Sequence, residues 1–312
     1  MHGVFLCSLI VNDVSLTSQC KAMEILKTYK LFIDGQFPRT ESGRYDVLQS
    51  PKKTWVANYC RASRKDVKAA VVAARKAFPS WSNRSGFNRS QIIYRMAEMM
   101  EGRKEQFIDE LILQGATAAA ARNEVKNAIA RCVYYAGWCD KYQLLSNTVN
   151  PVNTPHFNFT VSEAIGPVGL IAPSKPALLG LVSTLLPILV GGNTVVVIAA
   201  EQAPLSSITL AEVLATSDLP AGVVNILTGR MDELLHPLGS HYDLPAIVYA
   251  QTDATHFATL QTLGANQIKR VFHWQHDWAK PESAHPHWII DTQEIKTTWH
   301  PIRRAYQGGS SY

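Results

Sequence analysis

The feature that most constrains the fold is a regular alternation, beginning near residue 161, between short apolar runs and longer helical patterns. The apolar runs are rich in Val and Ile and lack polar alternation, as expected for strands that are covered on both faces. Such strands, joined by helices, form βαβ units in a doubly wound, Rossmann-like parallel sheet of the α/β class. We expect strands at 194–198, 223–227, 246–250 and 269–274, with helices at 177–190, 205–216, 230–239 and 253–264.

A helical region precedes this sheet. Ser63 and Asp66 form a capping-box pattern at the start of a helix whose apolar residues recur on one face. Further helical periodicity runs through 88–113 and 120–145, and the motif "LFIDGQF" predicts a hairpin with Asp-Gly as its tight turn. The apolar residues on these helix faces are interpreted as core packing.

These patterns divide the chain into three parts. We expect residues 1–27 to be a poorly ordered leader. Residues 28–274 are expected to form a nucleotide-binding-like domain with a helical part at 60–145 and a βαβ part at 161–274. Residues 275–312 are a tail rich in Trp, His and Pro, in which "HWIID" is expected to add one more strand.

The charge pattern and the cysteines exclude several classes of function. The net charge of +5 comes from basic residues that are scattered along the chain, so we expect no nucleic-acid partner. No apolar run reaches the ~20 residues of a membrane-spanning helix, so we expect no membrane partner. The five cysteines show neither CxxC nor zinc-site spacing, so no metal site is expected. Their odd number and irregular gaps indicate reduced thiols, which favours a cytoplasmic location.

The carboxyl ends of the strands are where such a sheet binds its ligands. The Gly-x-Gly-x-x-Gly fingerprint of dinucleotide sites is absent there. Gly229 follows one predicted strand, but Asp232 and Glu233 come just after it, and their charge would repel a pyrophosphate. Glu201 follows another strand and could bind a ribose hydroxyl, although the pattern alone favours an exposed or helix-capping carboxylate.

Three motifs that lie in order along this region resemble those of a known family. They read "GPVGLIAPSKP", "PILVGGNTVVVIAAEQAP" and "DLPAGVVNILTG". Aldehyde dehydrogenases usually read "GPVGVI-P-WNFP", "P-L-AGNTVV-KPAE-TP" and "LP-GV-N-VTG" at the same spacing, and the resemblance covers roughly residues 30–250. The tail motif "KRVFHWQHDWAKPESAHPHW" is similar to the truncated C-terminal module of family 16 aldehyde dehydrogenases. The resemblance implies the family's nucleotide-binding-like fold with the catalytic domain missing.

The departures from the family pattern fall on the residues that would do chemistry. The resemblance places the catalytic asparagine on Lys175 and the cofactor lysine on Ile198, while Glu201 keeps the ribose-contacting position. Gln251 stands in place of a glycine in the family's "FTGS" turn. The remaining candidate cofactor contacts, Glu201, Ile198 and Gly229, are therefore degenerate. Lys175 is expected to fill a vacated substrate tunnel or to point to solvent, with a Schiff-base amine as a further alternative.

The nucleophile and the general base of the family are also missing. All five cysteines precede residue 140, and no "ELGGK"-like motif follows the third family motif. We therefore expect no catalytic residue, because aldehyde oxidation by this route needs a thiolate, an oxyanion donor and a base. Losing the nucleophile of such an interdependent site typically costs on the order of 10⁶ in rate.

The sequence thus predicts a dehydrogenase-like domain that is inactive on its own and acts as a scaffold, interaction or regulatory module. No cofactor is expected, although residual NAD(P) binding without chemistry stays open. The partner is expected to be a second copy or another aldehyde dehydrogenase module, which pairs with an edge strand in "FNFTVSEAIGPVG". The alternative is an NAD(P)-dependent oxidoreductase acting on aldehydes, with the activity belonging to a longer gene product or to a partner module.

Overall fold

The structure is a computed structural model that describes residues 27–49 and 55–302 of the chain. The expected leader at 1–27 lies outside the described residues except for Lys27, as does the end of the tail. Within the described residues, the largest sheet has five parallel strands in the order β7-β6-β5-β8-β9. They are β5 (Pro167–Ile171), β6 (Thr194–Ile198), β7 (Val224–Leu227), β8 (Ala246–Tyr249) and β9 (Arg270–His273).

A helix follows each of the first four of these strands. They are α5 (Ala177–Val190), α6 (Leu205–Ala215), α7 (Met231–Gly239) and α8 (Ala254–Ala265). The four strands and four helices predicted from the alternation are confirmed to within two residues at every bound. Their order reverses direction next to β5, which gives the doubly wound topology and places the ligand-binding edge at the carboxyl ends of the strands.

The strands are buried because helices cover both faces of the sheet. All residues of β5, β6, β7 and β8 are buried. The middle helix α5 is buried at all of its 14 positions, since it lies between the sheet and the helices that precede it in the chain. The continuous apolar runs of the sequence therefore reflect a layer that is covered on both faces.

Four helices form the region before the sheet. The first, α1 (Arg64–Ser82), begins with the capping box that the sequence predicted, in which Ser63 Oγ accepts from the Asp66 amide and the Asp66 carboxylate accepts from the Ser63 amide. Its buried face packs with α7 against one side of the sheet. The other three pack on the opposite side, and they are α2 (Gly86–Gly102), α3 (Lys104–Leu113) and α4 (Ala118–Ala136).

Two smaller antiparallel sheets complete the described fold. One consists of β1 (Tyr45–Gln49) and β2 (Trp55–Cys60). The other has three strands in the order β10-β4-β3, namely β3 (Thr148–Asn150), β4 (His156–Ala164) and β10 (Gln293–Pro301). The "LFIDGQF" hairpin is also present, with Asp34 and Gly35 at positive φ in its turn.

Two expectations for strands are wrong. "HWIID" forms the helix α9 (His287–Asp291), and the extra strand β10 begins two residues later. Tertiary packing overrides the β-branched composition here, because Ile289 is buried and the Trp288 ring lies against Trp274. The expected edge strand in "FNFTVSEAIGPVG" is β4, which lies at the centre of its sheet because β10 pairs with it along nine residues.

Candidate functional site

Ile198 ends β6 at the carboxyl edge of the parallel sheet. In the strand register it lies between Ile171 of β5 and Leu227 of β7. All three side chains are fully buried in the apolar cluster that α1 and α7 close. A covered aliphatic side chain offers a polar ligand neither a donor nor accessible surface, so Ile198 contributes to the core at this position.

Glu201 lies in the turn that follows β6 and is exposed. Its Oε2 accepts a hydrogen bond from the Met231 amide at 3.2 Å, so the carboxylate caps the first turn of α7. Burial, followed by the negative charges of Asp46 and Glu201, raises the pKa of Tyr59 to about 12. The carboxylate that the family pattern assigns to a ribose thus occupies a helix N-terminus, which is the position an anionic ligand would use.

Gly229 has a φ of 151°, a backbone conformation that side chains rarely adopt. A Cβ at this residue would lie 3.1 Å from the Ala62 amide nitrogen and 3.3 Å from Leu234 Cδ1. The Ala62 amide donates to the Thr228 carbonyl at 2.8 Å, which holds the two segments together. The close approach that requires glycine here is therefore made by the protein's own backbone.

A cluster of ion pairs surrounds the start of α7. Glu233 accepts hydrogen bonds from Arg61 and lies 3.3 Å from Arg44, while Arg230 lies 3.3 Å from Asp46. The hydrogen bond from Arg61 is the main cause that lowers the pKa of the Glu233 carboxyl. These carboxylates already supply the negative charge that the helix N-terminus favours, which leaves less attraction for a phosphate.

A cavity of about 510 Å³ opens at the carboxyl ends of β5 and β8, and it brings Lys175 and Gln251 together. Lys175 is exposed, in agreement with the solvent-facing alternative. The Gln251 side-chain Nε2 donates to the Ala172 backbone carbonyl at 2.9 Å, and His273 Nε2 lies 3.0 Å from the Gln251 backbone carbonyl. Gln251 therefore fastens the turn after β8 to the end of β5.

The same cavity is lined by a segment that sequence reasoning did not assign to the site. Residues 275–278, which read "QHDW", follow β9 directly and form one wall. Their position could have been foreseen, since the segment that follows a parallel strand lies at the ligand-binding edge. The lining offers an amine, amides, an imidazole and a carboxylate, all of which can bind polar ligands, and it contains no thiol.

The described cysteines do not line this cavity. Cys60, Cys132 and Cys139 are all buried and free of disulfide bonds. Burial raises the pKa of the Cys132 and Cys139 thiols to about 12. A thiol that stays protonated near neutral pH is a poor nucleophile, so neither can take the part of the family's catalytic cysteine.

The described part of the chain holds no group of three or more His, Cys, Asp or Glu side chains arranged to bind a metal ion. Among the same residues, no helix combines the length and the apolar character that crossing a membrane requires.

Comparison with known proteins gives a consistent result. The model of the aldehyde dehydrogenase family matches residues 37–272. The putative aldehyde dehydrogenase DhaS of Bacillus subtilis (strain 168) is 34% identical over 250 residues, which are 78% of this chain and 50% of that protein. The cytosolic 10-formyltetrahydrofolate dehydrogenase of Xenopus laevis is 30% identical over 255 residues, which are 80% of this chain and 28% of that protein.

Solved structures extend the likeness to the fold. The NAD+ complex of an aldehyde dehydrogenase from Bacillus cereus superposes with a TM-score of 0.76 at 28% identity, covering 80% of this chain and 51% of that one. A putative aldehyde dehydrogenase from Burkholderia cenocepacia superposes with a TM-score of 0.75 at 30% identity. The chain therefore spans about half the length of these structures, or less than a third of the longer relative.

Proposed function

Since the chain belongs to the aldehyde dehydrogenase family, we propose that on its own it is a non-catalytic scaffold or regulatory module. The observation that carries the proposal is the composition of the cavity at the carboxyl edge of the sheet. Lys175 stands at the position of the catalytic asparagine, and no thiol lines the cavity. Without a nucleophile and a general base, the remaining groups can bind a polar molecule but cannot form and hydrolyse a thioester.

Loss of the cofactor is the second part of the proposal. Ile198 is buried where the family has a lysine, and Glu201 binds the α7 amide that would face a phosphate. The residues present thus fit NAD(P) poorly. A titration of NAD⁺ into the purified chain tests this directly, because a site saturated 100-fold over its Kd adds about 2.7 kcal/mol of stability. We expect no shift in melting temperature at millimolar NAD⁺.

Association is the function that we assign to the three-stranded sheet. No strand in the described part of the chain pairs with the outer edge of β10, and Ile295 and Trp299 on that strand are 51% and 56% exposed. Both side chains lie on one face, because they are four residues apart along a strand. An unpaired edge beside exposed apolar side chains favours pairing with a second copy or with another aldehyde dehydrogenase module.

Light scattering at micromolar concentration tests the association. The wild-type chain is expected to form a dimer or larger assembly, and Trp299→Lys is expected to shift it towards monomer by about tenfold in Kd. Tyr242→Lys is the matched control, since Tyr242 is 84% exposed and lies outside the sheet. A wild-type monomer that also fails to bind an active aldehyde dehydrogenase module would contradict this part of the proposal.

An alternative is an NAD(P)-dependent oxidoreductase acting on aldehydes, as a property of a longer gene product or of a partner module. Two observations favour it: the relatives are at least about twice as long as the matched region, and Glu201 is retained. Adding the chain to an active aldehyde dehydrogenase module distinguishes the two. A change in the module's kcat or KM supports a regulatory role, whereas aldehyde-dependent NADH formation by the chain alone supports the alternative.

A cytoplasmic location belongs to the same proposal. The described cysteines are free thiols, as is usual in a reducing compartment. Fractionation of cells that express the chain at its natural level tests this point.

A further inference from the structure

A second cavity lies far from the carboxyl edge of the sheet, between the N-terminal helices and the three-stranded sheet. Its volume is about 710 Å³, and its walls come from the connection between α1 and α2, the start of α2, the segment after α4, and the strands β4 and β10. The lining is mostly polar and includes Arg84, Ser85 and Arg89. The proposed scaffold role makes no use of this cavity.

Arg89 is a buried cation for which the described residues supply no counter-ion. It is 5% exposed and lines the cavity. Its Nη1 donates to the carbonyls of Arg84 at 2.6 Å and Ser82 at 3.4 Å, and its Nε has no hydrogen-bond partner among the described residues. A buried guanidinium without a carboxylate is costly, so an anion bound in the cavity would stabilise it.

Arg84 is a second cation in the same wall, and it likewise lacks a carboxylate partner in the described part of the chain. It donates only to the Asn88 side-chain oxygen, at 2.6 Å. The carboxylates of the lining are paired elsewhere, since Glu163 binds Lys296 at 2.5 Å and Asp140 lies 3.6 Å from Lys141. The two arginines are therefore the charges that stay unbalanced.

The start of α2 adds hydrogen-bond donors to the same wall. Ser85 caps the 17-residue helix, and its Oγ accepts from the Asn88 amide, which leaves the hydroxyl proton free to be donated. The first amides of the helix, beginning at Gly86 in the cavity wall, have no acceptor within the helix. Amides at a helix N-terminus, beside two guanidinium groups, match the geometry and charge of a tetrahedral oxyanion.

We propose that this cavity is a binding site for a phosphate group, held by Arg84, Arg89 and the N-terminus of α2. The ligand is inorganic phosphate or a small phosphomonoester, since both present the same dianionic head to these donors. The cavity is large enough to take an organic portion beside the head group. The proposal is independent of nucleotide binding at the carboxyl edge of the sheet.

Calorimetric titration of the full chain with inorganic phosphate tests the proposal, with sodium chloride at equal ionic strength as the reference. We expect saturable binding with one site and a concentration-dependent rise in melting temperature. Arg84→Gln should weaken phosphate binding at least tenfold, because it removes one of the two guanidinium groups that would bind the anion. The variant should still fold, because Arg84 is only half-buried and lies in the connection between α1 and α2. Arg122→Gln is the matched control, since Arg122 is exposed on α4 and does not line the cavity; it should change Kd less than twofold.

A second variant keeps the test decisive if Arg84→Gln does not fold. Asn88→Asp replaces the amide that accepts from Arg84 with a carboxylate, which would neutralise the Arg84 charge. It should therefore weaken phosphate binding as strongly as Arg84→Gln while keeping both arginines. Titration with glycerol 2-phosphate distinguishes the two candidate ligands. An affinity at least tenfold above that of inorganic phosphate assigns the site to an organic phosphomonoester, and an equal affinity assigns it to the free ion. The proposal is overturned if phosphate raises the melting temperature of the chain no more than chloride does. It is also overturned if both Arg84→Gln and Asn88→Asp leave phosphate binding unchanged.

Discussion

The middle of the parallel sheet and its carboxyl edge differ in how closely they follow the family pattern. The middle keeps the fold of the family, with β5 to β8 fully buried and α5 covered on all sides. At the edge, the resemblance to the family places Lys175, Ile198 and Gln251 where the family pattern has an asparagine, a lysine and a glycine. Packing constrains the strands through volume, whereas the turns that follow them can change their side chains at little cost in stability.

The largest expected effect is on the stability of the middle. Leu186→Ala in α5 should lower the free energy of unfolding by about 2–5 kcal/mol, because the fully buried side chain leaves a cavity. Lys175→Ala at the edge should change it by less than about 0.5 kcal/mol, because Lys175 is exposed. Urea unfolding of the two variants measures the contrast. Similar losses in both would break the distinction between the two regions.

Restoring one family residue at the edge sharpens the comparison. Ile198→Lys should destabilise the chain by about 3 kcal/mol, because the amine enters an apolar cluster without a partner. It should not restore NAD⁺ binding, since Glu201 still caps α7. Thermal unfolding with and without NAD⁺ gives both answers at once. Micromolar NAD⁺ affinity in this variant would mean that a single substitution had disabled the site.

The buried thiols of the helical region should produce a pH dependence. Their pKa is about 12 in the folded chain, above the unfolded value, so between about pH 9 and pH 10.5 the unfolded chain loses these protons first and stability falls. Lys269, whose pKa burial lowers to about 8, acts in the opposite direction and offsets one thiol. The two thiols and Lys269 together should lower the free energy of unfolding by about 2 kcal/mol over this window, and the raised pKa of buried tyrosines such as Tyr59 adds to that loss.

Urea unfolding at several pH values measures this loss. A Cys132→Ala, Cys139→Ala double variant, although less stable at neutral pH, should show a flatter or even rising profile. An unchanged slope in that variant would assign the pH dependence to other groups, such as the buried tyrosines.

The smallest effect is expected at Glu201. Glu201→Gln should lower the free energy of unfolding by only about 0.5 kcal/mol, because it weakens one charge-assisted hydrogen bond at an exposed helix N-terminus. Asp218→Asn is a suitable control, since it removes one carboxylate outside that helix. A loss of several kcal/mol at Glu201 would show that the edge is more tightly coupled to the core than its exposure indicates.

The amount of structure that could be predicted from the sequence differs between the two regions for a physical reason. The bounds of β6 were predictable to the residue, because an unbroken Val and Ile run between glycine and polar turns has few alternatives. "HWIID" also carries two adjacent Ile and a Trp, which favour a strand, yet it is a helix because Trp288 and Ile289 pack against residues distant in the chain. Local composition cannot encode such contacts.

The candidate site was predictable by position and not by contact. The family motifs placed Ile198, Glu201 and Gly229 at neighbouring strand ends, where the structure has them. That Glu201 bonds the Met231 amide, and that Gly229 packs against Ala62, depends on turn geometry and on a segment more than a hundred residues away. Pairing of β10 with β4 is equally distant in sequence, which is why β4 was expected at an edge.

The proposed role requires that this chain keep the sheet of the aldehyde dehydrogenase family and lack the groups that would react. Its most direct test is the rate of NADH formation by the purified chain with millimolar NAD⁺ and a panel of aliphatic and aromatic aldehydes, followed by absorbance. The account predicts a rate indistinguishable from that of buffer for every aldehyde. Saturable, aldehyde-dependent NADH formation would contradict it, whether or not the rate depends on Cys60, Cys132 or Cys139.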